Sequence, residues 1–226
     1  MKTSNFNFLA LLLFVLLGFS CSSNEQNTDE VEVVREQDAI PADEPKTILF
    51  FGNSLTAGYG IEPEDAFPGL IQQKIDSLGL DYRVINGGLS GETTASGLNR
   101  LDWFLEEQPD IFILELGGND GLRGIAVEET RKNLEMMVEL VQSRYPDTEI
   151  VLAGMQIPPN MGREYADNFQ RMYVDIADEH DLVLIPFLLE GVGGEASLNL
   201  PDGIHPTEEG HKIVAETVWE HLFPIL

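Results

Sequence analysis

Four short segments, far apart along the chain, hold the residue types that acyl transfer through a serine requires: Gly52-Asn53-Ser54-Leu55, Gly91, Gly117-Gly118-Asn119-Asp120 and Asp202-Gly203-Ile204-His205. Ser54 offers a hydroxyl that becomes a nucleophile when a base takes its proton. Asp202 and His205 supply such a base within Pro201-Asp202-Gly203-Ile204-His205-Pro206-Thr207. Their spacing in a turn lets the carboxylate accept the Nδ1–H of the same imidazole, so that Nε2 faces outward in the proton-accepting tautomer. Pro206 restricts the backbone of His205 toward extended values, which helps to fix the ring. Asn119, flanked by glycines, can aim its amide at a developing oxyanion, and the N–H groups of Ser54 and Gly91 can do the same. The expected catalytic set is Ser54, Asp202 and His205, with Ser54, Gly91 and Asn119 as oxyanion donors. No second His or Cys stands at ligand spacing, so neither a metal nor an organic cofactor is expected.

Each segment also has a plainer reading. The stretch around Ser54 is a small-residue strand-to-helix turn, or a phosphate cradle of the flavodoxin kind. It lacks G-x-S-x-G, which separates it from the strained elbow of the α/β-hydrolases. Gly91 and the Gly117–Gly118 pair are explained singly by turn chemistry. Asp120 is a rival orienting acid, but the spacing to His205 favours Asp202. His180, His211 and His221 fall on helices or their ends and read as surface or packing residues, and Met136 and Met137 as core. Met155, Ile157, Pro158, Met161 and Phe187 follow the fourth and fifth strands and are candidates to line an acyl pocket.

The elements that must position these residues are legible as alternating patterns. Five short apolar runs read as buried parallel strands: Ile48–Phe51, Tyr82–Asn86, Ile111–Leu116, Ile150–Gly154 and Leu182–Pro186. Helical stretches separate or follow them: Ala66–Leu78, Thr93–Glu107, Val127–Tyr145, Arg163–Glu179 and Thr207–Leu222. Within Val127–Tyr145, Leu134, Val138 and Val141 recur at helical spacing. This alternation predicts an α/β fold, a doubly wound three-layer α/β/α sandwich on a five-stranded parallel sheet. Ligands of such sheets sit outside the carboxyl ends of the strands. Ser54 lies just past the first strand, Gly91 past the second and Asn119 past the third, so three loops should meet on one rim. The loop with Asp202 and His205 must reach the same rim.

The 226 residues are 43% hydrophobic and 23% charged, an ordinary globular balance. Net charge is −26, from 39 acids against 13 bases, and there is no basic patch, which excludes nucleic acid as a partner. Residues 1–20 read as an export signal: Lys2, then the apolar run Phe8–Leu17, too short to span a bilayer of about 30 Å comfortably. Cys21, the only cysteine, follows Gly18 and Ser20 and is placed like the lipidated cysteine of a bacterial lipobox. Gly18 departs from the usual Leu, so cleavage by the ordinary signal peptidase is the other reading. Residues 21–45, rich in acids with Pro41 and Pro45, bury too little to offset ordering entropy and read as a flexible tether. The remaining domain, 46–226, is acidic in its own right.

The four segments resemble the blocks of the SGNH (GDSL-type) hydrolase family, named for its Ser, Gly, Asn and His. The match runs residue by residue through Ser54, Gly91, Asn119 and His205, with Asp202 as the fifth member, and covers essentially all of 46–226. It is closest to the bacterial arylesterase and multifunctional thioesterase/lysophospholipase group, through Gly117–Gly124 and Asp202–Thr207. Asn53 departs from the family's Asp; the two are isosteric, so a lost charge rather than lost function is expected.

The resemblance implies an esterase acting on aryl, short-chain acyl or lysophospholipid esters, with thioesters as a further class. Acyl-CoA is the least attractive of these, being anionic while the protein is acidic and exported. A small-molecule ester or lipid is therefore the expected partner, with membrane association through the anchor if Cys21 is modified. The expected site is periplasmic or outer-membrane, in a bacterium. Three other readings stand beside this: a carbohydrate O-deacetylase, a flavodoxin-like flavin or phosphate module, and a catalytically silent binding protein of the same fold.

Overall fold

A computed structural model describes residues 44–226. The expected export signal, Cys21 and most of the tether lie outside the described residues. Among the described residues, five parallel strands form one sheet: β1 (Lys46–Gly52), β2 (Tyr82–Gly88), β3 (Ile111–Glu115), β4 (Glu149–Ala153) and β5 (Val183–Ile185). They are ordered β2-β1-β3-β4-β5. The order reverses between β1 and β3, where Gly52 pairs with Glu115, and a crevice opens beyond the strand ends at such a reversal.

Seven α-helices among the described residues accompany the sheet: α1 (Ser54–Ala57), α2 (Phe67–Leu78), α3 (Thr94–Phe104), α4 (Gly118–Leu122), α5 (Val127–Arg144), α6 (Arg163–His180) and α7 (Glu208–Leu222). α2 packs with α7, while α3, α5 and α6 pack side by side, so helices cover both faces of the sheet. That double cover explains the strand sequences. Inner strands β1, β3 and β4 are buried along nearly their whole length and read as unbroken apolar runs, whereas edge strands β2 and β5 are only partly buried. Phe50 meets Phe67 of α2 and Phe51 meets Phe104 of α3, each edge-on at 5.5 Å, pinning both layers to β1.

The five long helices follow the expected boundaries closely. α3 stops at Phe104 rather than Glu107: Leu105 leaves helical values, and the Tyr145 hydroxyl donates to its carbonyl at 2.8 Å in place of a helical N–H. Leu134, Val138 and Val141 are fully buried, as their spacing requires, and so is Met137. Met136 is 43% exposed, against the expectation of a core residue. One position along a helix turns the side chain by about 100°, which carries it from the sheet to the solvent face. The short α1 and α4 were not anticipated; both follow strand ends and carry site residues.

His211 is a buried packing residue on α7, 1% exposed and stacked on Phe67, with Nδ1 accepting the Phe67 N–H at 3.2 Å. Burial, with a smaller effect of His205, lowers its pKa to about 4. The folded state thus holds His211 neutral while the unfolded chain protonates it near 6.5. Its contribution is full above that pH and is lost as pH falls toward 4, on the order of 3 kcal/mol. His211→Gln, whose amide oxygen can accept the same N–H, should therefore gain on the wild type as pH falls from 7.5 to 4.5 in urea unfolding. A pH-independent difference would refute the assignment.

Candidate active site

The strand reversal brings Ser54, Asn119 and the His205 loop to one rim. Ser54 opens α1 directly after β1, and Asn53 caps that turn with its Oδ1, which accepts the Leu55 N–H at 2.9 Å. Ser54 is 7% exposed. The loop delivering the base is itself built. An antiparallel bridge joins Asn199 to Pro206, Leu200 N–H donates to His205 O at 2.7 Å, and Thr207 caps α7.

Within that loop the Asp202 carboxylate faces His205 Nδ1 at 2.8 Å, and Nε2 faces Ser54 Oγ at 2.9 Å. Because a carboxylate only accepts, the proton belongs on Nδ1 and the lone pair on Nε2. Asp202 Oδ1 also accepts the N–H groups of Ile204 and His205, at 3.0 and 3.1 Å. These bonds, Ile204 N–H foremost and the imidazole next, lower its pKa to about 2. It therefore remains an anion beside the ring at any ordinary pH. Asp120 lies elsewhere: buried, it takes both the N–H and the hydroxyl of Thr94 at the start of α3.

Asn119 stands in the first turn of α4. Gly117 makes the turn from β3 with φ of 109°, and a Cβ there would fall 2.1 Å from the Tyr173 hydroxyl. One hydrogen of the Asn119 amide goes to Glu92 O at 3.0 Å, which leaves the other for a ligand. Gly91 holds φ of 80° and borders the cavity that opens from Ser54. That left-handed conformation disfavours any residue with a Cβ.

Two buried carboxylates brace this rim. Glu92 is fully sequestered against Arg100, whose guanidinium also donates to Gly87 O at 2.6 Å and Gly52 O at 3.3 Å and lies over Phe51 and Phe104. One side chain thus ties the ends of β1 and β2 to the Gly91 loop. Glu115, at the end of β3, accepts from Asn53 and Thr56. Burial raises its pKa to about 7, opposed by those donors.

A cavity of about 590 Å³ opens from Ser54. Met155, Ile157, Pro158 and Phe187 line it with Leu122, Leu189 and Ile204; Met161 does not border it and is 37% exposed. Tyr59, half exposed, lies against the His205 ring at 4.4 Å between centroids, the two planes tilted by 36°. Sequence reasoning had not singled out Tyr59, Arg100, Glu92 or Glu115. The last two carried a signal: an acid interrupting the apolar run of β3, and an acid before a capped helix. Among the described residues, no cluster of three or more His, Cys, Asp or Glu is placed to hold a metal, and no helix is long and apolar enough to cross a membrane.

Residues 50–213 match the GDSL-like Lipase/Acylhydrolase family. Esterase TesA of Pseudomonas aeruginosa is 40% identical over 182 residues, covering 80% of this chain and 90% of that protein. The thioesterase 1/protease 1/lysophospholipase L1 of Escherichia coli K12 is 35% identical over 181 residues, 80% of this chain and 85% of its own length. A crystal structure of TesA superposes with a TM-score of 0.77 at 40% identity, covering 80% of this chain and all of the other.

Proposed function

Because the chain belongs to the GDSL-like lipase/acylhydrolase family and is a serine ester hydrolase, we propose that Ser54 is its nucleophile, His205 its base and Asp202 the acid that orients His205. Ser54 Oγ attacks the ester carbonyl as its proton passes to His205 Nε2. The tetrahedral oxyanion is met by the N–H groups of Ser54 and Gly91 and the free amide hydrogen of Asn119. His205 then protonates the departing alcohol, leaving an acyl-serine, and water activated by the same imidazole releases the acid. The observation that carries this reading is the unbroken hydrogen-bonded series from Asp202 through His205 to Ser54, across 151 positions of sequence.

The walls of the cavity suit an acyl or aryl group better than a sugar. Met155, Ile157, Phe187, Leu122 and Leu189 offer apolar surface for a short or medium chain. The strong negative charge of the protein disfavours polyanionic acyl-CoA. Short-chain and aryl esters and lysophospholipids are the proposed substrates, with thioesters of uncharged thiols next. Export of the domain 46–226 behind the signal 1–20, with Cys21 lipidated and 21–45 as tether, would set the enzyme beside a membrane that supplies such lipids.

Rates on p-nitrophenyl esters from acetate to palmitate, on lysophospholipid, on acetylated xylooligosaccharides and on acyl-CoA test this choice. The expected kcat/KM peaks at a short or medium acyl ester and exceeds that on the acetylated sugars by at least about tenfold. Preference for the acetylated sugars would replace this reading with carbohydrate O-deacetylation.

A further inference from the structure

We propose that Glu115 and Asn53 form a positioning pair that keeps an acceptor, and not a donor, against the Ser54 hydroxyl. The inference rests on Ser54 being the nucleophile and assigns a role to a buried acid that touches no substrate. Glu115 is 1% exposed, pairs across the sheet with Gly52, and does not border the cavity. Three donors converge on its carboxylate. Oε2 accepts the Asn53 N–H at 3.0 Å and the Thr56 hydroxyl at 2.8 Å, and Oε1 accepts the Asn53 amide Nδ2 at 2.6 Å. The packing leaves no slack: a Cβ on Gly52 would lie 2.6 Å from Oε2 and 2.1 Å from the Thr56 hydroxyl.

An asparagine amide is nearly symmetric in shape, so its neighbours decide which way it faces. With Nδ2 held by Glu115, Oδ1 must face the other side, where it meets the Leu55 N–H at 2.9 Å and Ser54 Oγ at 3.3 Å. The flipped amide would set Oδ1 against a carboxylate and Nδ2 against the Leu55 N–H. Its Nδ2 would also donate to Ser54 Oγ, drawing on the lone pair that attacks the ester. The ionised Glu115 excludes that arrangement, and the Leu55 N–H opposes it whatever the protonation of Glu115. The serine proton then has a near acceptor in His205 at 2.9 Å and a longer one in Asn53, and no donor competes for the oxygen. The same Oδ1 caps the first turn of α1, which carries the Ser54 N–H proposed as an oxyanion donor.

The pair has a polarity, and polarity can be reversed. In Glu115→Gln, the introduced amide nitrogen faces Asn53 Nδ2, donor against donor. In the double variant with Asn53→Asp, that amide nitrogen donates to one oxygen of the new carboxylate, and the other oxygen still accepts from Leu55 and faces Ser54. We expect E115Q to lower kcat about 10- to 100-fold with little change in KM. Labelling of Ser54 by a fluorophosphonate should slow by the same factor. N53D/E115Q should recover to within about threefold of wild type in both assays. N53A, which leaves Glu115 two of its donors, should lower kcat about tenfold and decides the matter if E115Q does not fold. A double variant no faster than E115Q, or N53A reacting at the wild-type rate, would overturn the pairing. Failure of the underlying reading looks different: the fluorophosphonate would then leave Ser54 unlabelled in the wild-type enzyme.

Discussion

Ser54→Ala is expected to reduce ester turnover by roughly a million-fold, to the limit of the assay, while the protein remains folded. The size follows from the interdependence of the set. In the proposed mechanism, without the hydroxyl there is no nucleophile for His205 to deprotonate, and the oxyanion donors have no acyl-enzyme tetrahedral intermediate to hold. Asp202 stays ionised throughout, its pKa of about 2 held down chiefly by the Ile204 N–H, so lost activity cannot come from a changed orienting acid. The folded state loses little. Ser54 Oγ hydrogen-bonds only to His205 and Asn53, which keep their bonds to Asp202 and to the Leu55 N–H, so stability should change by no more than about 1 kcal/mol. Steady-state kinetics on p-nitrophenyl butyrate beside a thermal melt give both quantities from one preparation.

Arg100→Met should have the largest effect on stability. It strands the fully buried Glu92 carboxylate and leaves Gly87 O without its 2.6 Å donor. Breaking such a pair by removing one partner costs about 3–5 kcal/mol, which corresponds to roughly 10 °C in a domain of this size. The Met side chain still covers Phe51 and Phe104, so the loss belongs to the charge rather than to a void. Removing both charges, as in Arg100→Met with Glu92→Leu, should return most of the stability, because an apolar pair carries no desolvation penalty. Activity should return less completely. Arg100 also fixes the loop whose Glu92 carbonyl holds Asn119 and whose Gly91 N–H is the proposed oxyanion donor. Full recovery of kcat with stability would show that Arg100 serves folding alone.

What the sequence revealed and what it hid divide along physical lines. Strands β1, β3 and β4 were legible because cover on both faces demands continuous apolar runs, and the long helices because one face alone is buried. The order of strand ends alone puts Ser54 and Asn119 on one rim. The spacing of Asp202 and His205 anticipated their contact, because a hydrogen bond within one turn is a local property. Less was legible where a residue depends on a distant one. Glu115 reads in sequence as the end of a strand, and only the pairing of β3 with β1 shows that it sits beneath Asn53. Arg100 is one of two charged residues on α3, and nothing marks it as buried until the helix packs against Phe51. Tyr59 lies in a glycine-rich turn that gives no sign of its contact with the His205 ring. The exposure of Met136 and the placement of Met161 outside the cavity wall reflect single-residue rotations on a helix and a turn, finer than composition resolves.

Asn53 joins these two kinds of information. In sequence it is a departure from the family's Asp, expected to remove a charge and little else. In the fold its amide supplies the donor that Glu115 needs. Two carboxyls at 2.6 Å would instead have to share a proton.

The proposed mechanism requires a covalent bond between the substrate's acyl group and the Ser54 oxygen. Rapid acid quench of the enzyme during turnover of p-nitrophenyl butyrate, followed by peptide mass spectrometry, reads that bond directly. A butyryl group on the peptide containing Ser54, absent from Ser54→Ala, is the predicted result. Steady turnover with the acyl group on another residue, or an unmodified Ser54 while the alanine variant still hydrolyses the ester, would contradict it.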